Sequence, residues 1–133
     1  MKNNRVNILA VDDEDFIIEL FKLFFSRMGM EGDACSTPCE ALDMFSRAME
    51  KKEPYDLVFA DTNIRGSKGG AFEILALLSS RDPGVKIIVM SGDSNHRILE
   101  NPQQYGFAGA FSKPVILQSI EEKIKDVLGM GIK

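Results

Sequence analysis

The 133-residue chain has no tryptophan, one histidine, two cysteines and five prolines, and its net charge is only −4. Each shortage removes a class of function. Cys35 and Cys39 stand outside CxxC spacing and His96 is remote from both, so a zinc site would lack ligands. Two reduced cysteines are the expectation. Without a basic stripe, direct nucleic-acid binding is not expected. No apolar run approaches the ~20 residues that span a bilayer. The opening Met1-Lys2-Asn3-Asn4-Arg5 lacks the apolar stretch of a signal peptide. The expectation is therefore a cytoplasmic protein with no membrane contact. No repeat, low-complexity stretch or linker divides the chain, which predicts a single domain over residues 1–133 with its core at about 6–128. Looseness is expected only in the first few residues and in the tail after Gly129.

What is present is the balance of a globular protein, with 44% apolar and 27% charged residues. Apolar runs at Val6–Val11, Gly32–Cys35, Leu57–Ala60, Ile87–Met90 and Gly109–Phe111 alternate with helix-period segments. Three of the runs are nearly continuous, as strands covered on both faces should be. Helices are expected over Asp15–Met28 with Gly29 as stop, and over about Pro38–Lys51 with Thr37 as N-cap and Pro38 in the first turn. Others are expected over Gly70–Ser80, over Asn95–Asn101 before Pro102, and over Ile116–Leu128 before Gly129. This βα alternation predicts an α/β fold, a doubly wound five-stranded parallel sheet.

In such sheets ligands bind beyond the carboxyl ends of the strands. The residues that follow the runs are Asp12-Asp13-Glu14-Asp15, Asp61-Thr62-Asn63, Ser91-Gly92-Asp93 and Ser112-Lys113-Pro114. Acids from two strands, a hydroxyl from a third and a lysine from the last should converge on one edge. Clustered carboxylates repel unless a hard cation neutralises them, and Mg²⁺ accepts one or two carboxylates together with a phosphate oxygen. An Asp carboxylate can attack phosphorus. Phosphoryl transfer then needs mainly positioning and charge stabilisation, which an ammonium and a hydroxyl supply.

Ile8-Leu9-Ala10-Val11-Asp12-Asp13-Glu14, the strand-ending Asp61, Met90-Ser91-Gly92 and Lys113-Pro114 together resemble the quintet of response regulator receiver domains, over about Val6–Leu128. Asp61 to Ser91 is 30 residues and Ser91 to Lys113 is 22, the spacing of that family. The resemblance implies a flavodoxin-like (βα)5 sandwich with strand order 2-1-3-4-5. It implies Asp61 as phosphoacceptor and Mg²⁺ held by Asp13, Asp61 and the backbone carbonyl of Asn63, with Asp12 acting through water. Ser91 and Lys113 would contact the phosphoryl oxygens, Lys113 pairing with the acids beforehand, and the Lys113–Pro114 bond would be cis. Implied partners are a sensor histidine kinase or histidine phosphotransfer protein and a downstream effector, with a homodimer left open. Such a domain is a switch that assists its own phosphorylation and dephosphorylation, not an enzyme in the ordinary sense. Asn63 and Asp93 would influence the lifetime of the phosphoryl group.

Rival readings apply to several residues. Glu14 and Asp15 are expected to cap the first helix rather than to join the site. His96 is expected at the surface. The alternative for the whole chain is a pseudo-receiver, an interaction scaffold that works without phosphorylation. A dehalogenase-like phosphatase is disfavoured because Phe16 follows the second acid of Asp13-Glu14-Asp15, and a flavin site lacks a phosphate loop after the first strand.

Departures from the family stand at three positions. Arg65 replaces the usual proline and Lys68 the usual acid after the acceptor, which predicts a more mobile and more basic loop, while Gly69 keeps the family's glycine. Ala110 stands where many receivers carry an aromatic switch residue, and Phe111 should face the other side of its strand. The extra length before Asp61 is expected in the turn Glu50-Lys51-Lys52-Glu53. The first helix is apolar over more than half its circumference, so Ile18 and Leu23 or Phe25 should be partly exposed, as a surface for the phosphoryl donor.

Overall fold

The five apolar runs become five parallel strands in the computed structural model, which describes residues 6–92 and 97–129. They are β1 (Asn7–Val11), β2 (Glu31–Cys35), β3 (Leu57–Asp61), β4 (Ile87–Ser91) and β5 (Gly109–Ser112), in the order β2-β1-β3-β4-β5. Register places Val11 beside Cys35 and Ala60, Asp61 beside Met90, and Ser91 beside Ser112. The central strands β3 and β4 are buried at all five positions. The edge strand β2 is buried only at Cys35, which is why its apolar signal is weak. The expected flavodoxin-like doubly wound sheet is the fold observed.

Helices cover both faces: α1 (Asp15–Met28), α2 (Pro38–Glu50), α3 (Ala71–Ser79) and α4 (Leu117–Leu128). Alternation along the strands feeds two cores. Leu9, Val58, Ile87 and Val89 meet Phe45 of α2 and Ile74 and Leu78 of α3. Ile8, Leu57, Phe59, Ile88 and Met90 meet Phe21 and Phe24 of α1 and Ile120 and Ile124 of α4. Phe21 stacks at a tilt on Phe59 with ring centroids 5.1 Å apart, so a Phe21→Ala cavity would cost about 3–5 kcal/mol.

The helix ends follow their local chemistry. Gly29 closes α1 in the left-handed conformation at φ 64°, its N–H donating to carbonyls of the last turn. Thr37 Oγ1 accepts from Glu40 N–H at 3.1 Å, and Glu40 Oε1 reaches back to Ser36 N–H at 3.2 Å, a reciprocal cap at the start of α2. The charged turn after α2 places Lys52 in the left-handed region at φ 61°, exposed to solvent. Cys35 is buried and Cys39 exposed, both free, and burial pushes the Cys35 thiol up to about 12.

One expectation needs correction. Between β4 and β5 the described residues form no α-helix, only short 3-10 turns at Arg97–Leu99 and Pro102–Tyr105. Pro102 removes an N–H and biases Asn101 away from helix, so the segment breaks in two; His96 and Asp93 lie outside the described residues. On α1, Phe25 is buried, because Gly32 of β2 has no side chain and the Phe25 ring lies across it. Leu23 is exposed and Ile18 half-buried as expected, but the most exposed apolar residue is Phe16, at 72%. Ala110 faces the α2/α3 core, whereas Phe111 packs edge-on to Phe59 on the opposite side, as strand alternation requires.

Among the described residues no helix is long and apolar enough to cross a membrane.

Candidate functional site

At the carboxyl end of β1 the chain leaves toward one neighbour of the strand order, and at β3 toward the other. The crevice that opens there is the place where doubly wound sheets hold ligands. A cleft of about 320 Å³ occupies it, lined by Asp13, Glu14, Asp61, Asn63, Arg65, Gly92 and Lys113. A larger groove of about 540 Å³ runs beside β2, but its lining, including Asn7, Glu31 and Tyr55, lies toward the amino ends of β1 and β2, away from the carboxyl ends.

Sheet geometry sets each side chain. Asp12 follows β1 and its N–H extends the ladder to Cys35 O at 3.1 Å, which fixes its direction. Asp61 is the last residue of β3, and Thr62 N–H continues that ladder to Met90 O at 3.0 Å. Lys113 follows β5, held by its own N–H to Ser91 O at 2.7 Å, and the Lys113–Pro114 bond is cis, as the resemblance implies. The lysine ammonium then stands 3.0 Å from Asp61 Oδ2, 3.0 Å from Asp12 Oδ2 and 3.3 Å from Glu14 Oε1. Its side chain is 14% exposed, so water screens these pairs little.

The electrostatics are those of an acid cluster short of positive charge. Burial pushes the Asp12 carboxyl up to about 6, against the opposing pull of the Glu14 N–H and Lys113. Burial alone would lower Lys113, yet its close pairing with the Asp12 and Asp61 carboxylates outweighs it and raises the ammonium above the usual lysine value. Asp13 is held below the usual carboxylate range by Arg65, first through the backbone N–H and then through the guanidinium.

One lysine cannot satisfy three acids. Oxygens of Asp12, Asp13 and Asp61 lie within 4.8 Å of one another. Asp12 Oδ2 is buried and has no hydrogen-bond partner among the described residues. Lys113 is within ion-pair distance of that oxygen, but the approach is off the line that a hydrogen bond requires, so a lone pair is left over. An all-oxygen set with an unspent buried lone pair fits a hard divalent cation such as Mg²⁺.

The other residues fall into place unevenly. Asn63 lines the cleft, its N–H donating to Asp61 Oδ1 at 3.3 Å. Ser91 ends β4 fully buried, beside the cleft rather than lining it. Glu14 makes no side-chain cap on α1 and turns to Lys113 instead. It is Asp12 Oδ1 that accepts the Glu14 N–H, at 2.9 Å.

The loop after Asp61 carries more anchors than its composition predicts. Arg65 donates to Asp13 Oδ2 twice, from the backbone N at 2.9 Å and from Nε at 3.0 Å. Ser67 Oγ accepts from Gly70 N–H at 2.8 Å and donates to Glu73. Gly70, not Gly69, is the glycine that the geometry demands: its φ is 50°, and a Cβ there would strike the carbonyls of Thr62 and Asp61. The Gly69-Gly70 pair was the available signal, but which glycine meets the loop is decided in three dimensions.

Comparison with known proteins agrees with this geometry. A family model described as "Response regulator receiver domain" matches residues 8–125. The chain is 28% identical over 121 residues to sporulation initiation phosphotransferase F of Bacillus subtilis (strain 168), covering 91% of this chain and 92% of the relative. A response regulator receiver domain protein from Clostridium thermocellum superposes with TM-score 0.78 at 23% identity, covering 93% and 94% of the two chains. The receiver domain of a sensor histidine kinase from Pseudomonas aeruginosa PAO1, with a magnesium ion coordinated in its active-site cleft, superposes with TM-score 0.77 at 16% identity, covering 95% and 99%.

Proposed function

The chain belongs to the response regulator receiver domain family, and on that premise we propose that it accepts a phosphoryl group on Asp61 in a two-component phosphorelay, as a conformational switch. The observation that carries this reading is the setting of Asp61: it ends β3 at the floor of the cleft, 3.0 Å from Lys113 Nζ and within reach of Asp12 and Asp13. In the proposed reaction an Asp61 carboxylate oxygen forms a bond to phosphorus while the P–N bond to the donor's histidine breaks, its electron pair staying on that nitrogen; with the other ring nitrogen protonated, the donor is left with neutral imidazole. Asp13, Asp61 and the carbonyl of Asn63, with Asp12 through water, would hold Mg²⁺. When bound, Mg²⁺ supplies neutralising charge for the acids and for the phosphoryl oxygens. Lys113 trades its pairing with Asp61 for a phosphoryl oxygen, and the Ser91 hydroxyl takes another. The donor is a sensor histidine kinase or a histidine phosphotransfer protein, and the setting is the cytoplasm. Phe16 and Leu23, which lie seven residues apart on one side of α1, form its docking face, since they leave apolar surface uncovered, while half-buried Ile18 lies on the opposite flank of the helix. A downstream effector reads the result.

Mass spectrometry after incubation with acetyl phosphate and Mg²⁺ tests the reading. Wild type should gain one phosphoryl mass and Asp61→Ala none. Phosphoryl mass on the variant would move the acceptor elsewhere, and an unmodified wild type would favour the phosphorylation-independent scaffold.

A further inference from the structure

Arg65 is the one guanidinium in the cleft among the described residues, and it rests on an acid that the proposed metal requires. Its two contacts with Asp13 Oδ2 differ in kind. The backbone N–H, at 2.9 Å, aims the carboxylate and persists whatever side chain position 65 carries. The Nε donor, at 3.0 Å, adds positive charge. Orientation is therefore already supplied by the main chain, and what the side chain contributes is charge at a cation site. That charge opposes a dication in two ways: it compensates Asp13 in the metal-free state, and it repels an ion arriving within a few ångströms.

We propose that the Arg65 guanidinium is a built-in competitor for Mg²⁺, which lowers metal affinity and is displaced from Asp13 when the metal enters. The side chain is 87% exposed, so it can swing into solvent without breaking any packing. The contact spans 52 residues and ties the loop after β3 to the turn after β1. Metal entry therefore releases one anchor of the acceptor loop, and the site's occupancy is reported to the surface at position 65. This inference rests on the proposed metal site, and its test separates the two.

Mg²⁺ affinity is measured by isothermal titration calorimetry, at low and at high salt, on wild type, Arg65→Gln and Lys68→Ala. Arg65→Gln should bind Mg²⁺ about two- to fivefold more tightly, the range expected for removing one exposed charge pair. The gain should shrink at high salt. Lys68→Ala, which removes a second cation from the same loop, should stay near wild type. In a parallel NMR titration of wild type, the Arg65 side-chain Nε–H signal should shift as Mg²⁺ is added. Unchanged or weaker binding by Arg65→Gln overturns the inference while leaving the metal site standing. An equal gain in Lys68→Ala also overturns it, because the effect would then be general loop charge. Absence of Mg²⁺ binding in all three proteins overturns the inference and the site together. Binding by Arg65→Gln alone would support it in its strongest form.

Discussion

The acceptor edge of the sheet, at the ends of β1 and β3, and the far edge, beyond β4 and β5, are built on opposite principles. At the first, charged groups are brought close and depend on one another: Lys113 serves Asp12, Glu14 and Asp61, and Arg65 serves Asp13. At the second, the work is filling space. A 3-10 turn at Arg97–Leu99 stands where a helix is expected and a second follows at Pro102–Tyr105, and Phe107 is buried against Phe72, with Tyr105 edge-on to the same ring. Ala110 leaves room beside Leu99, Pro102 and Gln103 at that edge, where a cavity of about 290 Å³ lies. A charge cluster fails when one member is removed, whereas a packed edge can be filled by many different side chains.

The largest expected effect breaks the first kind of edge. Lys113→Ala leaves Asp12 and Asp61, both buried, without their cation. Stability in metal-free buffer at pH 7.5 should fall by about 2–3 kcal/mol by urea denaturation, and phosphoryl acceptance from acetyl phosphate should be lost. Added Mg²⁺ should recover part of the stability but not the reaction. A change below about 0.5 kcal/mol would mean that the acids are not held by Lys113 in solution.

Next in size is a paired glycine test, Gly70 in the loop after β3 and Gly92 at the end of β4, where the chain leaves for the far edge. Gly70→Ala forces a Cβ into the carbonyls of Thr62 and Asp61 at a positive φ, and should cost about 2 kcal/mol or more and slow phosphorylation. A Cβ on Gly92 meets nothing within 4 Å, so Gly92→Ala should stay within about 0.5 kcal/mol of wild type. Equal losses in thermal or urea unfolding would erase the distinction.

These two edges were also unequally legible in the sequence. The strand runs, the Thr37-Pro38 helix start and the Gly29 stop are local signals, and each produced the element expected of it. Asp12, Asp13, Asp61 and Lys113 could be placed on one edge because strand order converts sequence position into spatial position. The contacts that no local pattern carries were hidden. The Arg65 grip on Asp13 spans 52 residues, and Phe25 is buried only because Gly32 lies under its ring. Glu14 is drawn away from helix capping by Lys113, 99 residues on. Past β4 a helix is expected over Asn95–Asn101, but among the described residues that span holds only the 3-10 turn Arg97–Leu99, with Ile98 buried in the core.

A smaller effect concerns pH. The folded-state pKa of Asp12, about 6, lies above its ordinary value of 3.8. The folded metal-free protein thus holds a proton between those values that the unfolded chain does not. From this group, stability rises as pH falls from about 6 toward 4 and is penalised above 6. Lys113 acts the other way, its raised pKa contributing stability at neutral pH that is lost only above the usual lysine value. Mg²⁺ must compete with the Asp12 proton, so its affinity should begin to drop below about pH 6 rather than near 4. Asp12→Asn should remove that inflection and, in metal-free buffer at pH 7.5, raise stability by about 1–3 kcal/mol. An affinity flat down to pH 5 in calorimetric titrations would place Asp12 outside the metal's reach.

The subtlest expectation concerns how the acceptor edge is read by the far one. With Ala110 in place of an aromatic ring, there is no large side chain at that position to rotate inward, yet Ser91 connects the two edges through backbone. Its carbonyl accepts the Lys113 N–H at 2.7 Å, and its strand runs directly into Gly92. If Ser91 moves toward a phosphoryl oxygen, the strain passes into the segment from Gly92 to Gln104, whose described part is short 3-10 turns rather than α-helix. Beryllofluoride with Mg²⁺, a phosphoryl mimic, should therefore change backbone chemical shifts at Gly92 and from Arg97 to Gln104, with no aromatic rotamer change at β5. Ala110→Tyr should alter the size of those shifts without abolishing them, because the path runs through main chain. Changes confined to Asp61–Gly70 would show that the far edge does not read the site, and the partner would then have to read the acceptor loop itself.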